Sequence, residues 1–431
     1  MTPPVAERAA DFVGALGVNI HLSQGSVTAK TVIADMAYLG VTHVRDHGRG
    51  QKTSESLIAA FGELADAGLK LDWLEGGLPG VTVYRLKTFL RDHPGSVAAV
   101  EGPNEVNNFP FTFRGLTGTA AAMAYQRVLY NLVHGRSFPA AIPVLNFTDS
   151  PITAGMADAA NGHPYPKNGE QPLTTLVSAF GALEQATPGK PVYFTEAGYP
   201  TLPQPGQAQG VDDLTQAKLT LNLIMDAANL GVVATYLYDL VDAGDPTGST
   251  VADHFGLFAN DGAAKPSAVA VHNLTTIVAD GGATASTFTP TPLNDTLVGL
   301  PSDGASRVIE TSSGVYDIVV WAEPQIWNSA TGTPIAAPPA SVTVDLGARF
   351  QQVQVFDPLL SASPISTAAD TDTVTIGLTD HPLIVQVSNF AAAMAAASSP
   401  PAPTVAAAVP FREGYAPGAN GQLYIDTHSA R

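Results

Sequence analysis

Val97-Ala-Ala-Val-Glu-Gly-Pro-Asn-Glu-Val-Asn107 sets a short apolar run against Gly/Pro/Asn punctuation. Such a run, stopped by a turn, reads as a buried parallel strand, so Glu105 falls just past its C-terminal end. Pro191-Val-Tyr-Phe-Thr-Glu-Ala-Gly-Tyr-Pro200 repeats the pattern, with Glu196 in the corresponding place. Two acidic residues at the ends of two such strands suit a (β/α)8 barrel, whose C-terminal face gathers a loop from every strand.

Strand and helix patterns alternate on both sides of these runs. Gly14 to His21 reads as strand one, with a helix over Thr28 to Leu39. Strand two is Thr42 to Val44, followed by Arg45-Asp46-His47 and a helix over Ser54 to Ala67. Leu69 to Leu74 is strand three, ending at Glu75, with a helix over Val83 to Asp92. Strand four, Val97 to Val100, precedes a helix over Ala120 to His134. Strand five, Ile142 to Leu145, has its helix near Ile152 to Ala154, and strand six, Ala157 to Asn161, leads into His163-Pro-Tyr165 and a helix over Leu173 to Gln185. Strand seven is Val192 to Thr195. The helix after it starts at Asp212-Asp213, a fitting N-terminus, and carries Leu214, Ala217, Leu221, Ile224 and Ala228 on one face. Strand eight is Val232 to Tyr238, and Lys265 to Ala279 closes the set. Eight such pairs suit the size of a (β/α)8 barrel. The rival, a doubly wound sheet, usually carries a glycine fingerprint after strand one, and none follows here.

Past residue 283, short alternating segments such as Tyr316 to Trp321, Ala340 to Leu346, Gln352 to Phe356, Thr373 to Leu378 and Leu383 to Val387 lie between turns and read as a β-sandwich. The expected layout is therefore a catalytic barrel over 1–283, a sandwich over 284–390 and an Ala/Pro-rich linker and tail over 391–431. The length of 431 residues accommodates this. A formal charge of −18, from 38 acidic and 20 basic residues, argues against nucleic acid or an anionic membrane as partner. No apolar stretch reaches membrane-spanning length. The chain has no cysteine, which excludes disulfides and thiolate metal sites. Residues Met1 to Ala10 carry no basic-then-apolar leader; the reading is of a mature secreted or periplasmic protein, with a cytoplasmic one as the alternative.

Motifs for other chemistries are missing: no His-Glu-x-x-His, no phosphate-cradling Gly-x4-Gly-Lys-Ser/Thr and no Gly-x-Ser-x-Gly elbow, so no metal or cofactor is expected. Asp242, Asp245 and Asp253 lack calcium-loop spacing and read as solvated loop charge. Two carboxylates from different strands on one barrel face are the equipment for breaking a glycosidic bond. Taken singly, either glutamate could equally cap a loop or pair with a strand-end arginine.

On strands four and seven, with Asn104 directly before Glu105, the pair resembles that of glycoside hydrolase clan A. His163-Pro164-Tyr165 resembles the His-x-Tyr of strand six in that clan. Phe255-Gly-Leu-Phe258, Asp261-Gly262 and Lys265-Pro266 resemble the segment before its last helix, and the sandwich resembles that of families 30, 39 and 51. The match departs at strand eight, where many members place a tryptophan and this chain has Tyr236, Tyr238 and Asp239. The resemblance implies a retaining glycosidase acting on β-linked oligo- or polysaccharide, with Glu196 as nucleophile and Glu105 as acid/base. It further implies that Tyr165 and Arg45 favour the charged form of Glu196 and that Asn104 holds the sugar 2-hydroxyl. The mechanism asks for one carboxyl with a raised pKa beside one kept ionised. A transglycosylase shares all these residues. A carbohydrate-binding protein on a degenerate barrel is the non-enzymatic alternative.

Further site candidates come from position. Asn19 and His21 end strand one, and Glu75 ends strand three. Tyr199 and the Phe109–Phe113 loop suit the apolar faces of a sugar, although loop phenylalanines also cover barrel mouths. His163 before a proline and Arg45 beside Asp46 also admit purely structural roles. Trp73 reads as core, and Trp321 and Trp327 as sandwich core or its contact with the barrel.

Overall fold

The computed structural model describes residues 5–47, 54–75, 77–202, 210–244 and 250–389. Eight parallel strands form its centre: β1 Leu16–Asn19, β2 His43–His47, β3 Lys70–Leu74, β4 Val97–Glu101, β5 Val144–Leu145, β6 Ala160–Gly162, β7 Val192–Ala197 and β8 Ala234–Leu237. Their order, β5-β4-β3-β2-β1-β8-β7-β6, joins the first strand to the last through Leu16–Thr235, Gly17–Tyr236 and Val18–Leu237. That pairing makes a barrel rather than an open sheet. A single parallel bridge, Leu145–Ala159, closes the remaining seam. Gly17 sits where any Cβ would lie 2.3 Å from the Tyr236 ring, so glycine there lets the tyrosine fill the barrel.

Seven helices surround the strands: α1 Ala29–Leu39, α2 Ser54–Asp66, α3 Pro79–Asp92, α4 Gly118–Val133, α5 Pro172–Ala186, α6 Asp213–Leu230 and α7 Pro266–Ile277. The Thr28 side chain accepts from Thr31 N at the start of α1, and Asp212 accepts from Thr215 N at the start of α6. Gly40 and Gly231 end these two helices at φ 67° and 76°. The helix expected near Ile152 to Ala154 does not form. There the side chains of Asn146 and Asp149 take the amides of Gly155 and Thr153 at 3.0 and 2.8 Å, and Pro151 lacks an N–H, so the backbone is satisfied locally without helical bonds.

The second region is one mostly antiparallel sheet: β9 Thr296–Val298, β10 Gly304–Glu310, β11 Tyr316–Ala322, β12 Ala340–Phe356, β13 Ser366–Leu378 and β14 Leu383–Ser388. The hydrogen bonding is continuous, and β12 supplies both halves of the fold-over. Its first half pairs with β9, its second with β14, and β13 follows it throughout, with a register shift between Asp345 and Phe350. Val342, Val344, Leu346 and Phe350 enter the sheet's core on even positions, Val353 and Val355 on odd ones, so the inward face switches between Phe350 and Val353. Residues Glu7–Arg8, assigned to the barrel segment from sequence, pair in parallel with Ile309 and Glu310 of β10.

The sheet packs on the barrel through its other face. In β11, Ile318 and Val320 join the sheet core, whereas Val319 and Trp321 join the barrel's cluster. Trp321 Nε1 donates to Asp226 of α6 at 3.0 Å. Helix α6 meets this region through Lys218, Asn222 and Asp226, which bond Asp380 and Trp321, while Leu214 of the face read from sequence is 51% exposed. Trp73 is core, edge-on to Phe61 at 5.3 Å. Asp253 is buried and Asp242 half-buried rather than solvated, Asp242 paired with Lys265 at 3.1 Å; Asp245 and the tail over 391–431 lie outside the described residues. Among the described residues no helix is long and apolar enough to cross a membrane.

Candidate active site

Parallel strands deliver every C-terminus to one rim, and alternate residues face inward. Arg45 of β2 lies at the centre, 3% exposed. Its Nε and Nη2 donate to the two Glu101 oxygens at 2.6 and 3.1 Å, in a bidentate pair. Nη1 donates to Asn19 Oδ1 at 2.8 Å and to Glu196 Oε1 at 2.6 Å, and Nη2 also reaches Asn104 Oδ1 at 2.9 Å. Asp46 is not its partner; that carboxylate accepts from Ser23 N and His47 N instead. Burial alone would weaken the guanidinium's hold on its proton, but Glu101 and Glu196 raise its pKa well above the ordinary value.

Glu196, in β7, is 7% exposed and accepts from Tyr165 Oη at 2.7 Å as well as from Arg45. Burial pushes its pKa up, yet the electrostatic influence of His163 and Arg45, with the tyrosine's hydrogen bond, brings it below the ordinary value. Glu105 sits in the loop after β4 at φ 39°, a conformation that non-glycine residues rarely adopt. The loop after β5 holds it there: Glu105 N donates to Thr148 Oγ1 at 2.7 Å, Val106 N to Thr148 O at 3.0 Å, and Thr148 N to Pro103 O at 3.2 Å. Its Oε1 is 2.9 Å from His163 Nδ1, and its Oε2 accepts from Asn108 Nδ2 at 2.9 Å.

One polar atom each of Glu105, His163 and Glu196 lie within 4.8 Å of one another. All three side chains are engaged in protein hydrogen bonds. The two carboxyl groups differ from the sequence expectation in one respect: neither pKa is raised. Burial acts to lift that of Glu105, but the hydrogen bond and charge of His163, then Asn108 and Arg45, outweigh it and hold it at about 2.

An open cleft is lined by Asn19, His21, Arg45, Leu74, Asn104, Glu105, Phe109, Glu196 and Tyr238, among others. The ring of Tyr238, just past β8, stands edge-on to His21, Tyr165 and Phe255 at 5.2, 5.9 and 5.3 Å. His21 hydrogen-bonds Gln24 at 3.0 Å, and burial takes its pKa down to about 4, which keeps the ring neutral. Asn19 spends its amide on Thr195 O and Leu237 O at 3.0 and 3.3 Å and its oxygen on Arg45. It braces the barrel rim.

Two candidates from sequence lie apart. The Glu75 carboxylate accepts from Trp73 Nε1 and Thr82 Oγ1 behind the cleft wall, and burial raises its pKa to about 7. Tyr199 is 2% exposed and donates to Glu170 O at 2.9 Å. Conversely, Glu101, Asn161, Thr195 and Thr148 belong to the network without having been singled out. Glu101 has a signal in hindsight: it lies two residues from Ala99, on the strand's inward parity, once β4 is extended by one residue.

No family model matches the chain, and no curated protein matches it. Solved structures do. A family 39 glycoside hydrolase from the gut symbiont Bacteroides cellulosilyticus WH2 is 15% identical, with 90% of this chain and 83% of that one covered at a TM-score of 0.60. A glucosidase from Croceicoccus marinus is 10% identical, with 90% and 98% covered at a TM-score of 0.59. At these identities the likeness is one of fold: the chain shares the overall architecture of these two proteins.

Proposed function

We propose that the protein is a retaining glycosidase that cleaves β-glycosidic bonds by double displacement. The observation that carries this reading is the approach of Glu105 and Glu196, from the ends of the fourth and seventh strands, to within 4.8 Å across the barrel rim. Retaining enzymes hold their carboxyl groups about 5–5.5 Å apart, whereas inverting ones leave room for a water between them. Glu196, with its pKa lowered by His163 and Arg45, attacks the anomeric carbon as a carboxylate. Glu105 gives its proton to the departing oxygen and takes one back from the incoming water. The low pKa of Glu105 is compatible with an acid because His163 Nδ1, 2.9 Å away, is placed to exchange a proton with it. Asn104, whose oxygen is taken by Arg45, has its amide group left to donate to the sugar 2-hydroxyl. Tyr238, at the position of the strand-eight tryptophan of many clan members, offers the sugar a smaller aromatic face.

Aryl β-glycosides and β-linked polysaccharides supply the test. Glu196→Ala abolishes turnover on all of them. Glu105→Ala spares activated aryl substrates far more than natural ones, because a good leaving group needs little acid assistance. Equal losses on both substrate types would remove the acid role from Glu105. Longer oligosaccharide products would identify a transglycosylase with the same residues. Glycan binding without cleavage would identify the non-enzymatic alternative.

A further inference from the structure

A run of four hydrogen bonds below the cleft fixes more than side-chain positions. Asn161 Nδ2 donates to Glu101 Oε2 at 3.0 Å and to the Asn146 carbonyl at 3.3 Å. Both partners only accept, so the amide cannot be flipped and Asn161 Oδ1 is an acceptor. Thr195 Oγ1 lies 2.6 Å from that oxygen and spends its single proton on it. Its remaining contact, His163 Nε2 at 3.1 Å, must therefore be one in which the hydroxyl accepts. Nε2 carries a proton. On the other side of the ring, Nδ1 is 2.9 Å from Glu105 Oε1, and only one proton fits between them.

We infer that Asn161 and Thr195 are positioning residues that lock His163 as the Nε2–H tautomer, so that His163 and Glu105 hold one shared proton at the Nδ1–Oε1 contact. The pair then has two forms of equal proton content: neutral imidazole with carboxylic acid, or imidazolium with carboxylate. In the first, the proton on Glu105 Oε1 is ready for a leaving oxygen. In the second, Nδ1 stores it. Loss of that proton would set two lone pairs against each other or force the Thr195 hydroxyl off Asn161, so the lock holds the proton on the pair to higher pH. The charged and titratable groups facing His163 are Glu105 from the β4 loop, Glu196 of β7 and, through Glu196, Arg45 of β2 and Tyr165. Glu101 faces it through Asn161. The kinetic consequence rests on the acid/base reading of Glu105; the tautomer does not.

The test has two readouts. In 15N-histidine-labelled protein, with the His163 signals assigned by their loss in His163→Gln, Nε2 stays protonated from pH 5 to 9 in the wild type. Thr195→Val, which removes the hydroxyl and keeps the shape, converts the ring to the Nδ1–H form. The alkaline limb of kcat/KM then falls by about one pH unit, the size expected for one lost hydrogen bond. Thr195→Ser restores both. A bare Nε2 in the wild type overturns the inference, as does an alkaline limb that Thr195→Val leaves in place. The predicted tautomer in a protein that turns over no glycoside counts against the proposed function and leaves the lock standing. Normal turnover with the opposite tautomer does the reverse.

Discussion

Removing Arg45 as Arg45→Met should move the acid limb of kcat/KM upward by about one to two pH units. The motive is the 2.6 Å contact between Nη1 and Glu196 Oε1, in a place where the two side chains are 3% and 10% exposed. A hydrogen bond to a charged group there is worth about 1.5–3 kcal/mol, and each pH unit corresponds to about 1.36 kcal/mol. Burial is the largest influence on Glu196 and acts to raise its pKa. With Arg45 gone, only Tyr165 at 2.7 Å and His163 at 3.5 Å oppose it. The sign follows from the proposed mechanism, in which Glu196 attacks as a carboxylate, so a higher pKa withdraws activity from the acid side. Glu101 loses both of its arginine contacts and keeps Asn161, so the variant also loses about 3–5 kcal/mol of stability, less whatever Glu101 recovers by taking a proton. The assay is kcat/KM on an activated aryl β-glycoside across pH, which reports the free enzyme, with thermal melts to establish the folded range. Arg45→Lys retains a charge in the same place, so its limb should lie between the other two. An acid limb that stays within about 0.3 pH units of wild type in both variants would refute the electrostatic account of Glu196.

Two further predictions concern stability. Glu75 has a raised pKa of about 7, against an ordinary 4.5, so the native state binds more protons and loses stability as pH climbs through that window. Glu75→Gln should therefore gain on wild type by an amount that grows between pH 5 and pH 8, on the order of 3 kcal/mol in urea unfolding, and a gain independent of pH would contradict the assignment. His381 lies between Asp380 at 2.7 Å and Asp357 at 3.1 Å, and Asp380 also pairs with Lys218 of α6 at 2.7 Å. Burial works to lower the histidine's pKa, but the two carboxylates raise it, so its contribution is fully present below the ordinary 6.5 and is lost as pH rises through the folded value. His381→Gln should accordingly lower the melting temperature more at pH 6 than at pH 9; equal losses would show that charge has no part in this contact between sheet and barrel.

How much of the fold was legible depended on whether the information was local. Apolar runs stopped by Gly, Pro and Asn gave the strand order, because a buried parallel strand needs apolar residues on both faces and a turn at its end. Helix ends were equally local: Asp212 and Gly231 bracket α6 through their own backbone chemistry. The faces of α6 were not local. Lys218, Asn222 and Asp226 bond Asp380 and Trp321 of a region more than ninety residues downstream, and no periodicity within the helix announces a second neighbour. The fold-over of the sheet was hidden for a related reason. It rests on a parity change inside β12, between Phe350 and Val353, and a sequence read as separate short strands there gives no sign that one strand runs through both halves.

The site divides along the same line. Acidic and aromatic residues at strand ends can be nominated one at a time, and the structure brings Arg45, Asn104, Glu105, His163, Tyr165, Glu196 and Tyr238 to a single rim. Glu75 and Tyr199 satisfy the same local criterion yet turn to Thr82 and Glu170, because the direction of a side chain depends on which partner the next loop provides. Protonation was the least legible property. A raised pKa for the acid was the natural expectation from two like charges at close range, but His163 stands between them and reverses the balance for both. Its influence in turn depends on Thr195 and Asn161, two residue types with no chemical signature of their own, whose importance arises only from the order in which four polar groups pass along their protons.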